Sequence, residues 1–173
     1  KAIKRRKRLK DLQTAGRLWK HSTLADIDGL LGTDQLDEMF LFALVRNPWD
    51  RLVSYYHWLR AQSFDHPAVG LAKAHDFAGF LNEPHTQTSI KAAPYGSYLV
   101  DAAGQQRDAH YIRLEHLAKD LAPLCAHLGF ALNMPHANAS DRSADYRSYY
   151  TDETAALVAT ICAEDIARFG YSF

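Results

Sequence analysis

The chain has 173 residues, 47% of them apolar, with 20 basic and 20 acidic side chains in formal balance. That length suits one compact domain with a core of its own, and the apolar content argues against a disordered chain. No apolar run approaches the eighteen or more residues of a membrane span, and the two cysteines, Cys125 and Cys162, lack metal-ligand spacing and read as buried thiols compatible with a reducing compartment.

The charge balance hides an uneven distribution. Residues 1–20 hold nine Lys or Arg against one acid, Asp11, so the rest of the chain is acidic. A basic N-terminal segment (1–20) is therefore set apart from the body (21–173). Such a run can contact an anionic surface, or it can be a solvated helix face. The acidic body shows no nucleic-acid-binding module, and nucleic acid is not an expected partner. The opening residues lack the pattern of a signal peptide, so the expected location is cytoplasmic, with peripheral membrane contact through residues 1–20 as the alternative.

Ser22 and Thr23 open a short helix, Asp26 stands three residues after Thr23 as a capping-box partner, and Gly32 lies near its end. Met39 to Val45 is a continuous apolar run of strand length, the pattern of a strand buried on both faces. Asn47 then serves as N-cap and Pro48 takes the first helical position. Leu52, Val53, Tyr56 and Leu59 follow at helical spacing on one apolar side. Asp76 precedes a short helix through Phe77, Phe80 and Leu81. Residues 82–108, rich in Pro, Gly, Asn, Gln and His, read as a long surface connection. His110–Leu114 is a strand candidate, followed by a helix from Glu115 to His127 that Gly129 ends. Thr151 or Asp152 caps a last helix that runs through Leu157, Val158, Ile161, Cys162, Ile166 and Phe169 to a stop at Gly170. Strands separated by helices imply a parallel sheet with helices on both faces.

Strand, tight turn and helix N-terminus around Asn47 make a natural anion site, because free N–H groups and the positive dipole end point the same way. Arg46 adds a forked donor at the strand's end. Ser54, two turns along the helix from Asn47, lies on the same side. Spacing alone leaves two readings open: phosphate binding, or mere punctuation with Arg46 paired to Asp50.

The order Arg46-x-Pro48-x-x-Arg51-x-x-Ser54 after a buried strand resembles the 3′-phosphate motif of sulfotransferases that use 3′-phosphoadenosine 5′-phosphosulfate (PAPS). The continuation through Tyr55-Tyr56-His57-Trp58-Leu59-Arg60 is similar to the carbohydrate branch, which includes the heparan sulfate 2-O-sulfotransferases, and the spelling Val45–Arg51 is closest to bacterial members. A second similarity covers Asn138–Ser140, Asp145–Thr151 and Ala163–Tyr171, and Arg113–Leu117 matches the family's Arg-Leu-Glu-x-Leu pattern. Together the resemblance spans roughly residues 20–173. It implies a P-loop-kinase-like three-layer α/β fold with a central parallel sheet, and Arg46 and Ser54 as ligands of the cofactor's 3′-phosphate.

The chemistry that the family performs moves a sulfonate from PAPS to an acceptor hydroxyl, here expected on a carbohydrate or glycolipid. It calls for a base of near-neutral pKa and for no metal. His21, in Lys20-His21-Ser22-Thr23 one element upstream of the Arg46 strand, matches the segment where the polysaccharide enzymes keep their histidine base; a local capping or surface role is its alternative. His57, within the amphipathic helix after the turn, reads as structural or acceptor-facing, and His136, near Asn138, can line the cleft. Arg142 and Arg147 either lend positive charge to a ligand or are ordinary surface charges. Asn138-Ala139-Ser140 also fits the N-glycosylation pattern. The family's 5′-phosphosulfate loop has no counterpart: Thr14-Ala15-Gly16 echoes three of its letters, but Gln13 stands where the lysine belongs and no apolar strand precedes it. The expectation is a chain that starts after that loop. A non-catalytic module for nucleotide or anionic glycan is therefore the alternative to an active PAPS-dependent enzyme. A nucleotide kinase would need a Gly-x-x-x-x-Gly-Lys-(Ser/Thr) loop that the sequence lacks.

Overall fold

A computed structural model describes residues 12–134 and 142–173. Residues 1–11, with most of the basic segment, and His136 and Asn138–Ser140 lie outside the described residues. The fold is mixed α/β, rich in helix, with a small parallel sheet of two strands. In chain order the regular elements are α1 (Thr33–Asp37), β1 (Phe42–Val45), α2 (Pro48–Arg60), α3 (Pro67–Ala74), α4 (Phe77–Asn82), α5 (Pro84–Lys91), β2 (His110–Arg113), α6 (Leu117–Asp120), α7 (Ala122–Leu128), α8 (Asp152–Ile161) and α9 (Ala163–Phe169). Short 3-10 turns stand at Ala25–Ile27, Tyr95–Leu99, Leu114–His116 and Tyr146–Tyr149. The chain divides into two compact units, one from residues 1–43 and 95–111, the other from 44–94 and 112–173. The division passes through both strands.

The second unit owns the main core. Trp49, Leu52, Val53, Tyr56 and Leu59 of α2 pack with Ala68, Val69 and Ala72 of α3, with Phe77, Phe80 and Leu81 of α4, and with Ala155, Val158 and Cys162. The apolar face expected of α2 is thus the face it buries. Its start also follows the local code: Asn47 caps it through a bond from the Trp49 N–H to Asn47 Oδ1 (3.0 Å), and Pro48 is the first helical residue. Asp76 caps α4 by accepting the Gly79 N–H at 2.8 Å, and Thr151 caps α8.

Several expectations are corrected. The strand is shorter than the run Met39–Val45, and it is not buried on both faces: Phe42 and Leu44 are 46% and 40% exposed, while Val45 is fully buried. Alternation decides this, since β1 has one apolar face against the core and its continuous apolar sequence does not require a second. Residues 82–108 are not a structureless connection. Pro84 starts α5, which turns Thr86 inward and packs Ile90 against the core, so burial outweighs the polar composition. The helix expected from Glu115 to His127 is broken into a 3-10 turn, α6 and α7, because Pro123 near the start of α7 has no N–H to continue the ladder. Gly129 does end it, in the left-handed region at φ 77°. The last helix is likewise two, broken at Cys162, and Gly170 closes the second at φ 67°.

In the first unit Thr23 and Asp26 bond reciprocally, Thr23 N–H to Asp26 Oδ2 (2.9 Å) and Asp26 N–H to Thr23 Oγ1 (3.2 Å). The element that they start is only the 3-10 turn Ala25–Ile27. Gly32 does not end it; it precedes α1, where its N–H donates to the Gln35 side chain.

Candidate functional site

Arg46 leaves the end of β1 and turns back onto the first turn of α2. Its Nε and Nη2 both reach Asp50 Oδ2, at 2.7 and 2.6 Å. The pairing that spacing left open is therefore present. Asp50 has a second partner from far along the chain: Arg142 Nη2 donates to its other oxygen at 2.6 Å. All three side chains are largely covered, with 27%, 18% and 11% of Arg46, Asp50 and Arg142 exposed. Arg142 is thus no ordinary surface charge, a fact that no local signal in its sequence carries.

The backbone donor at the turn is also engaged. The Asn47 N–H donates to Glu115 Oε1 at 2.6 Å, and the other Glu115 oxygen accepts the Tyr171 hydroxyl at 3.1 Å. A carboxylate suits this place because the helix N-terminus favours negative charge. The Asn47 amide reaches Ser172 O (3.1 Å) and Tyr146 Oη (3.4 Å), so one side chain both caps α2 and ties it to the chain's end. Trp49 adds to the same joint. Its indole N–H donates to Ala155 O at 3.0 Å, and its carbonyl accepts the Tyr150 hydroxyl at 2.8 Å. Burial pushes the Tyr150 hydroxyl far above its ordinary pKa, which keeps it a donor at any physiological pH.

Ser54 is half-buried, and among the described residues its hydroxyl has no hydrogen-bond partner. Arg51, the second arginine of the motif, faces elsewhere: its Nη1 stands 3.7 Å from the buried carboxylate of Asp165 in α9. His57 packs edge-on against Tyr56 and Tyr149, which makes it part of the α2 packing. Arg147 lies over the rings of Tyr146 and Phe173, with its guanidinium carbon 4.8 and 5.8 Å from their centres.

His21 belongs to the first unit, whereas Arg46 and Ser54 belong to the second. It is exposed and meets Trp19 edge-on, ring centres 4.7 Å apart. Partial desolvation, and after it the charge of Lys20, lowers its pKa, so the neutral imidazole is favoured. Among the described residues no side chain orients its ring by a hydrogen bond. Ser22 does not cap a helix here; its hydroxyl folds back to the carbonyls of Arg17 (2.9 Å) and Trp19 (3.0 Å). Thr14–Gly16 lies against the Asp26–Asp28 backbone, with the Ala15 and Gly16 N–H groups given to the carbonyls of Asp28 and Asp26 at 3.0 Å each. Gly16 is required there, since an added Cβ would stand 2.7 Å from the Asp26 Cα. Donors so engaged are not offered to a phosphate.

Among the described residues no group of His, Cys, Asp and Glu has the arrangement of a metal site, and no helix is long and apolar enough to cross a membrane. Comparison with protein-family models, with curated proteins and with solved structures finds no match to this chain.

Proposed function

We propose that this chain is a PAPS-dependent sulfotransferase that moves a sulfonate group to an acceptor hydroxyl on a carbohydrate or glycolipid. The observation that carries the reading is the turn from β1 into α2: a forked arginine at the strand's end, a capped helix start, and an unpartnered serine hydroxyl two turns along. Arg46 and Ser54 hold the 3′-phosphate in this reading, and the parallel pair β1–β2 belongs to a P-loop-kinase-like sheet with helices on both faces. His21 takes the acceptor's hydroxyl proton as that oxygen attacks sulfur, and the bond from sulfur to the 5′-phosphate breaks with its electron pair on the phosphate. A lowered pKa supports the role, because a base must be neutral before it acts. The leaving group is an already acidic phosphate, so the family's reaction calls for no metal.

A second reading, a non-catalytic module for a nucleotide or an anionic glycan, is favoured by one observation: the Ala15 and Gly16 N–H groups are spent on backbone carbonyls.

Titration calorimetry with 3′-phosphoadenosine 5′-phosphate and with 5′-AMP tests the nucleotide assignment. The expected preference for the first is about 1.5–3 kcal/mol, roughly ten- to a hundredfold in affinity. Arg46→Ala should abolish it. Equal affinities in the wild-type chain would overturn the reading.

A further inference from the structure

We propose that Asp50 is a resident counter-ion of the anion site, holding Arg46 and Arg142 together and giving way to the incoming phosphate. The inference rests on the nucleotide reading above and adds to it a second arginine and an exchange step. Each Asp50 oxygen serves one guanidinium, Oδ2 that of Arg46 and Oδ1 that of Arg142. The two arginines come from segments 96 positions apart in sequence, and among the described residues Asp50 is the partner that they share.

Donor capacity is left over. A guanidinium offers five N–H groups. Arg46 spends its Nε and Nη2 on one oxygen; Arg142 spends Nη2 on Asp50 and Nη1 on Ser143 O at 3.3 Å. A phosphate dianion brings more charge and three acceptor oxygens, and its geometry, like a carboxylate's, matches a guanidinium fork. The nearby acids are few. Glu115 is engaged by the Asn47 N–H and the Tyr171 hydroxyl, and among the described residues it forms no ion pair with either arginine. Asp145 accepts the Arg147 N–H at 3.0 Å. Asp50 is thus the carboxylate with which a phosphate competes for Arg46 and Arg142. Its place in the first turn of α2 lowers the cost of keeping it there while the site is empty of other anions. Asp50 is a positioning residue; Arg142 is the added ligand.

The test compares the wild-type chain, Asp50→Asn and Arg142→Gln in calorimetric titrations with 3′-phosphoadenosine 5′-phosphate and with 5′-AMP. Asp50→Asn should bind the 3′-phosphorylated nucleotide about tenfold more tightly, since a like charge beside the phosphate is gone, and should bind 5′-AMP as before. Arg142→Gln should bind the first about tenfold more weakly and 5′-AMP unchanged, the loss expected for one charge-assisted bond. A merely structural role for either residue would move both nucleotides together. If the wild-type chain prefers the 3′-phosphate but Asp50→Asn gains no affinity for it, the exchange is refuted and the nucleotide reading stands. If the wild-type chain shows no preference, both fall. Should circular dichroism show Asp50→Asn unfolded, Arg142→Gln decides alone, and an undiminished nucleotide preference overturns the proposal.

Discussion

Asn47 is the residue on which the candidate site and the fold depend together, and Asn47→Ala separates its duties. The side chain accepts the Trp49 N–H at 3.0 Å and donates to Ser172 O at 3.1 Å, in a residue 8% exposed. Losing an N-cap acceptor costs about 1 kcal/mol. Losing the donor to Ser172 adds about another 1 kcal/mol. The contact to Tyr146 at 3.4 Å is at the edge of bonding distance and adds little. The sum is about 2 kcal/mol, which in a domain of this size lowers Tm by about 4–8 °C. Asn47→Ser keeps a hydroxyl that caps equally well but cannot reach Ser172, so it should cost only about 1 kcal/mol. Urea denaturation followed by circular dichroism measures both, read as a shift in midpoint at unchanged slope. An Ala variant within about 0.5 kcal/mol of wild type would refute the cap and the tie together. Equal losses for Ser and Ala would refute the cap alone.

Phe80→Ala empties the fully buried centre of the core, where the ring lies 5.4 Å from that of Tyr56, and should lower stability by about 3–5 kcal/mol in the same urea assay. Acid stability should depend on Asp120, whose carboxyl the Arg113 guanidinium holds down at about 2. A depressed pKa stabilises the fold above the unfolded value of about 3.9, and that contribution is lost as pH falls toward 2. Urea midpoints of Asp120→Asn should therefore vary less with pH than wild type between about 4 and 2; parallel curves would contradict the pairing. The Cys162 thiol, pushed up to about 11 by burial, should resist a thiol reagent at pH 8 in the folded chain and react once urea unfolds it. Mass-spectrometric detection of fast labelling at Cys162 in the native state would count against its burial.

Local chemistry made much of this chain legible. Asn47-Pro48 announced a helix start, Asp76 and Thr151 announced theirs, and Gly129 and Gly170 announced stops, because caps and left-handed turns are set by residues within one turn of each other. The apolar spacing of α2 named its buried face for the same reason. Composition failed at residues 82–108, where a polar sequence folds as α5 once Ile90 and Thr86 find a core to meet.

The candidate site divides along the same line. Arg46 and Ser54 stand out in the sequence because strand, turn and helix lie within thirteen consecutive residues, from Phe42 to Ser54. Local spacing also allowed Arg46 to pair with Asp50, one helical turn on, but could not decide it. Glu115 at the Asn47 N–H and Arg142 at Asp50 are another matter, since their partners lie 68 and 92 residues away. Nothing in a short window distinguishes Arg142 from a solvated arginine. Sequence by itself determined where α2, α4 and α8 begin, which face of α2 is apolar, and which strand end carries a motif that resembles a phosphate site. Tertiary structure alone decided which charges meet there, because an ion pair between distant segments forms only after packing has brought them within 3 Å and removed the water between them.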